Sequence, residues 1–127
     1  MADSELTHGI IGAAIDVHRA LGPGLLESAY EECLCHELGQ RVIGFERQKP
    51  IPLVYKDVKL ECGYRIEVLV GGRIVVEIKA VDALAPIPDA ILLTYLRLSG
   101  CAVGLLVSFH AMILKRGIRR LVLNHHD

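Results

Sequence analysis

The stretch Tyr64–Ala80, reading Tyr-Arg-Ile-Glu-Val-Leu-Val-Gly-Gly-Arg-Ile-Val-Val-Glu-Ile-Lys-Ala, limits the chain to few folds. Two runs rich in β-branched residues flank Gly71-Gly72, which reads as a β-hairpin. Its side-chain pattern chooses between two registers. A two-residue Gly71-Gly72 loop would set Ile66 against Glu77 and Glu67 against Val76, mixing charge with hydrocarbon on both faces. A three-residue loop, Gly71 to Arg73, pairs Val70 with Ile74, Val68 with Val76 and Ile66 with Ile78, and makes one face wholly apolar. The other face then carries Leu69 with Val75, Glu67 with Glu77, and Arg65 with Lys79. A one-residue slip turns every side chain over, so the hydrophobic face dictates the second register. Three-residue loops with a glycine in the left-handed conformation are common in hairpins.

That register has a chemical cost. Directly opposed residues have Cβ atoms about 4.5–5.5 Å apart, and like charges there repel. Two arrangements relieve the repulsion. In one, Arg65 and Lys79 pair diagonally with the glutamates on a wet sheet face. In the other, the carboxylates share a divalent cation; hard oxygen ligands suit magnesium, often held by one or two carboxylates with phosphate and water. Lys79 then stands where it can position or activate an attacking water.

The surrounding sequence supplies layers for this hairpin. Leu6–Leu21 has a helical apolar rhythm, broken by Gly22-Pro23-Gly24, and a second helix runs from about Leu25 to Leu38 with Gly39 as its stop. Short strands follow at Val42–Phe45 and Ile51–Tyr55, with a turn at Lys56-Asp57. Long strands are expected over Lys59–Val70 and Arg73–Ala80, a third helix over Asp89–Leu98, and strands over Val103–Phe109 and Ile118–Leu123. The nearly unbroken apolar run at Val103–Phe109 suits a central strand covered on both faces. The order is ααββββαββ. At 127 residues this is one α/β domain with a mixed sheet, spanning 1–127.

Charge and composition exclude some roles. The net charge of −1 is not that of a general nucleic-acid binder. The halves differ: residues 1–63 hold 6 Lys/Arg against 10 Asp/Glu, and residues 64–127 hold 8 against 5. Lys115, Arg116, Arg119 and Arg120 make much of the second half's excess. They read equally as a phosphate-facing patch or as a solvated turn and strand end. No segment approaches the roughly 18 uninterrupted apolar residues of a membrane helix, and no secretory signal is visible. Cys33, Cys35, Cys62 and Cys101 include no C-x-x-C pair, so reduced thiols in a cytoplasmic protein are expected rather than a zinc site.

Glu27 and Tyr30 lie three apart, hence on one face of the second helix. A first-turn glutamate favours the helix dipole and a tyrosine there is ordinarily packing; alternatively, the hydroxyl orients the carboxylate or a phosphate.

Several spaced blocks carry a family likeness. Gly24-Leu25-Leu26-Glu27-Ser28-Ala29-Tyr30, its flank Val17–Gly24, Val75–Val81, Leu93–Gly100 and Val103–Leu106 together resemble the GxxExxY protein family, a branch of the PD-(D/E)XK nuclease-like superfamily. The likeness runs from Leu6 to about Leu123. It implies a restriction-endonuclease-like core, a mixed central sheet flanked by helices, and magnesium-dependent phosphodiester hydrolysis, with manganese as a substitute. Carried over by position, the metal-binding acids are Glu67 on one strand and Glu77 of the E-x-K on the next. Lys79 completes that motif, Glu27 is the helix acid, and the Ile78 carbonyl faces the metal. Tyr30, Lys115, Arg116 and Arg119 would then contact the nucleic acid. The family usually has aspartate at Glu67 and a glutamine at Ile91. A module that keeps the fold without catalysis, binding nucleic acid or a protein partner, is the alternative, and the near-neutral charge suits a partner or a homo-oligomer.

Overall fold

The computed structural model describes residues 2–80 and 86–124. Two helices, α1 (Asp3–Leu21) and α2 (Glu27–Gln40), precede five strands: β1 (Phe45–Pro50), β2 (Leu53–Tyr55), β3 (Val58–Leu60), β4 (Arg65–Val70) and β5 (Ile74–Lys79). Helix α3 (Pro86–Ser99), strand β6 (Val103–Ser108), a 3₁₀ turn (Leu114–Gly117) and strand β7 (Ile118–Val122) follow among the described residues. The main sheet has the order β1-β4-β5-β6-β7, and β2 with β3 forms a separate two-stranded ribbon. Among the described residues only β5 and β6 run parallel, joined across the sheet by α3, so the sheet is mixed.

Two apolar layers cover the sheet. Leu6, Ile10, Ala13, Ala14 and Val17 of α1 and Tyr30, Leu34 and Leu38 of α2 pack on Val68, Val70, Ile74, Val76 and Ile78. On the opposite face, Leu92 and Leu96 of α3 pack on Leu69, Val75 and Leu106. Every residue of β6 is buried, as a strand between two helical layers must be. No helix among the described residues is long and apolar enough to cross a membrane.

The hairpin adopts the three-residue loop. Val70 pairs with Ile74, Leu69 with Val75 and Val68 with Val76. Gly71 and Gly72 have φ of 60° and 69°, a left-handed backbone that glycine enters without a Cβ penalty. The ladder then stops. The expected Ile66–Ile78 pair does not form, and Ile66 lies in the α3 layer with Ile51 rather than beside Val68 and Val70.

Other boundaries depart from the sequence reading for local reasons. The long strand expected over Lys59–Val70 is divided before Arg65, with Gly63 at a φ of 81°, so five strands rather than four precede α3. β1 starts at Phe45 and continues to Pro50, where a strand was not expected. It is an edge strand, which tolerates a proline because one side of its backbone has no ladder to feed. Helix α2 runs past Gly39 to Gln40, and Val42 takes the left-handed conformation at its exit, φ 58°.

Candidate active site at the open end of the hairpin

Glu67 and Glu77 meet where β4 and β5 stop pairing. β5 alternates regularly: Ile74, Val76 and Ile78 enter the α1–α2 layer, while Val75 enters the α3 layer. Glu77 and Lys79 therefore share the α3 side of the strand. Glu77 is only 4% exposed, and its Oε1 is buried without a hydrogen-bond partner. Glu67 reaches across the gap, and its Oε2 accepts a hydrogen bond from the Ile78 backbone N–H at 3.2 Å. In a continued ladder that N–H would have gone to a main-chain carbonyl of β4. The side chain takes the place of the missing ladder bond.

Burial dominates the electrostatics. Loss of hydration pushes the Glu77 carboxyl up to about 8, and the neighbouring Glu67 charge adds to the rise; Lys79 opposes it. Burial likewise pushes Glu67 up to about 7, opposed by the Ile78 N–H and by Lys79, with Glu27 and Glu31 contributing repulsion. Burial and the proximity of a second acid thus both favour the protonated form of this pair. No ion pair within 4 Å joins either acid to Arg65 or Lys79 among the described residues. Arg65 is exposed and directs Nη1 at the Gln48 carbonyl, 3.4 Å away. A cation quartet on an open face is therefore not what neutralises the acids.

Glu27 comes to the same end of the sheet from α2. It is the first residue of that helix, and its Oε1 accepts from the Ala80 N–H at 3.1 Å, just past β5. Tyr30, expected beside it as a substrate contact, is instead fully buried. Its hydroxyl donates to the Gly22 carbonyl at 2.6 Å and accepts from the Leu25 N–H at 3.1 Å, and its ring stacks on Phe109 at 4.4 Å. Tyr30 thus fastens the Gly22–Leu25 loop that delivers Glu27. His110 Nε2, 3.0 Å from the Leu25 carbonyl oxygen, and His18 Nε2, 2.8 Å from that of Ala111, brace the same region.

The basic run does not form one surface. Lys115 and Arg116 are exposed on the 3₁₀ turn. Arg119 turns to the α3 side and donates to the Asp89 carboxylate, whereas Arg120 borders a cavity of ≈ 500 Å³ against α1, with His8, Ile15 and Lys115.

Two contributors escaped the sequence reading. Tyr95 of α3 packs in the layer on the Glu77 side of the sheet, where burial, then the Glu77 and Glu67 charges, push its phenol up. The available signal was its position four residues after Ile91, on one helical face. Ile91 itself is 43% exposed. The second contributor is Glu31, buried on α2, for which the sequence offered no signal beyond helical spacing from Glu27.

The residues present suit a hard divalent cation: a buried, unpartnered carboxylate oxygen beside a second carboxylate is a donor set of the type magnesium takes with water and phosphate. No group of three or more His, Cys, Asp or Glu side chains is placed to hold a metal among the described residues. Residues 4–121 match the family model of the PD-(D/E)XK nuclease superfamily, and the chain belongs to that superfamily. No curated protein and no solved structure matches it.

Proposed function

We propose that the protein is a magnesium-dependent nuclease that hydrolyses phosphodiester bonds in DNA or RNA. The observation that carries this reading is the buried Glu77 Oε1, left without a partner beside Glu67 and on the same side of β5 as Lys79. An apolar fold gains nothing from such an atom, and leaving it unsatisfied is costly unless something binds there. Membership of the nuclease superfamily supports the same assignment.

Glu67 and Glu77 would hold Mg²⁺, or Mn²⁺ in its place, with Glu27 and the Ile78 carbonyl as further oxygen donors. When bound, the ion would supply charge stabilisation at the phosphate and acidify a water. The chain's own residues prepare that chemistry. Glu67 and Glu77, both pushed up by burial, would have to be deprotonated to hold the ion. Lys79 offers an ammonium beside them to orient a water or a phosphate oxygen. Tyr30 fixes the loop before Glu27, and Tyr95 of α3 packs on the same side of the sheet as Glu77. Lys115 and Arg116 are available to phosphates outside the site; Arg119, bound to Asp89, is a weaker candidate.

A second reading has its own support, since Glu27 already accepts from Ala80 and no three-acid group is assembled among the described residues. In it, the fold is kept as a module that binds nucleic acid or a protein partner without cutting. Cleavage of plasmid and single-stranded DNA and of RNA with Mg²⁺ or Mn²⁺ separates the two. The nuclease reading expects activity that Glu77→Ala and Lys79→Ala each reduce by about 100-fold or more. Activity surviving both substitutions, or a wild type that neither cuts nor binds metal, would overturn it.

A further inference from the structure

β1 contains a residue in an unusual conformation at a telling place. Gln48 has φ of 51°, a left-handed backbone that side-chain-bearing residues seldom adopt without local support. The β1–β4 ladder pairs Arg47 with Val68 and Lys49 with Ile66, but skips the intervening Gln48–Glu67 position. The break therefore lies opposite Glu67.

The support comes from Glu31. Its Oε2 accepts from Arg47 Nε at 3.0 Å and Nη2 at 2.7 Å, and its Oε1 accepts from Gln48 Nε2 at 3.0 Å. Consecutive strand residues normally point to opposite faces. Arg47 and Gln48 both reach one carboxylate on α2, and the left-handed backbone at Gln48 is what allows it.

The crease extends into β4. Val68 and Val70 pack in the α1–α2 layer, yet Ile66, of the same parity, packs in the α3 layer with Ile51. Both strands change face at the Gln48–Glu67 level. There Glu67 is released from pairing with either neighbouring strand, and its carboxylate is free to reach Ile78.

We infer that Glu31 is a positioning residue: by gripping Arg47 and Gln48 it holds the crease that presents the Glu67 carboxylate to Ile78 and to the site. As a part of catalysis this rests on the nuclease reading, but the placement of Glu67 can be measured without it. Amide hydrogen exchange at Ile78, compared with Val76 inside the paired ladder, reports whether Glu67 stays in position. Gln48→Val, whose β-branched side chain disfavours the left-handed backbone, is expected to speed Ile78 exchange about tenfold relative to Val76. Gln48→Gly keeps the backbone accessible and is expected to stay within about twofold of wild type. Glu31→Leu should act like Gln48→Val, and adding Gln48→Gly to it should restore most of the protection.

Glu31→Leu leaves Arg47 only the Glu32 carboxylate, 3.0 Å from its Nη1, so the two Gln48 variants decide the matter if it fails to fold. Unchanged Ile78 exchange in Gln48→Val, or equal loss in Gln48→Gly and Gln48→Val, overturns the inference. A Mn²⁺ titration of the same proteins should weaken in parallel with Ile78 protection. A wild type that binds no Mn²⁺ sinks the nuclease reading alone, and the exchange data then still settle the role of Glu31.

Discussion

The Ile78 N–H donates to Glu67 Oε2 at 3.2 Å, across a gap where β4 and β5 have ceased to pair. A carboxylate and a strand backbone thereby hold each other, with Glu77 buried alongside.

Stability of the metal-free protein should fall as pH rises. Both acids have folded values, about 7 and about 8, above the ordinary 4.5, so the folded state binds protons more tightly than the unfolded chain. Their contribution is fully present below about 4.5, shrinks between there and about 8, and is lost above. Thermal unfolding without metal from pH 5 to 9 should show a declining Tm attributable to these groups. Glu77→Gln should flatten the decline, and an unchanged slope in that variant would contradict the assignment.

Metal should reverse the trend. Because the acids must shed a proton to bind a cation, loading at pH 7 should release protons, and the Tm increment from Mn²⁺ should grow with pH. Calorimetry in two buffers of different ionisation enthalpy measures the protons released. Binding with no proton release would argue that these carboxyls are not the ligands.

Tyr30→Phe removes a hydroxyl that serves two backbone groups, the Gly22 carbonyl and the Leu25 N–H. A loss of about 1–3 kcal/mol is expected in denaturant unfolding, since both partners stay behind without it. The loop before Glu27 should loosen with it. Undiminished stability would show that the hydroxyl is dispensable.

Gly104→Ala tests the packing of α3 on the sheet. A Cβ at Gly104 would lie 2.9 Å from Leu92 Cδ1 and 3.0 Å from its Cγ, inside the layer that carries Tyr95. Overpacking of this kind costs about 1–3 kcal/mol. Urea unfolding should record it.

Substituting Lys115 and Arg116 together by glutamate should weaken binding to any nucleic acid without changing the fold, because both are exposed. The slope of log affinity against log salt should drop by about two if each contacts one phosphate. An identical slope would place the nucleic acid elsewhere.

Parity and periodicity carried the sequence reading a long way. The positions of Glu67 and Glu77 among apolar residues selected the loop length, and the facing pairs Val68–Val76, Leu69–Val75 and Val70–Ile74 form as that register requires. The pattern failed at Ile66, where the alternation is real in the sequence but a neighbouring strand creases the sheet. That crease depends on Gln48, Arg47 and a glutamate 16 or 17 residues away, and nothing local in the sequence announces it. The acids Glu67 and Glu77 and Lys79 were legible because charges interrupting a β pattern stand out. Tyr95 was not, since a tyrosine in an apolar helix reads as core. Tyr30 was legible as a motif residue, yet its use was not, because a hydroxyl's partners are loop backbone atoms that only the fold brings near.

The bond from Ile78 to Glu67 has one more consequence. In most sheets the cohesion of two strands is indifferent to the proton inventory of the solvent, since amide and carbonyl do not titrate. Here one rung is made by a group that does. Protonation of that side chain bears directly on the backbone of β5, and the amide signal of Ile78 is expected to report it.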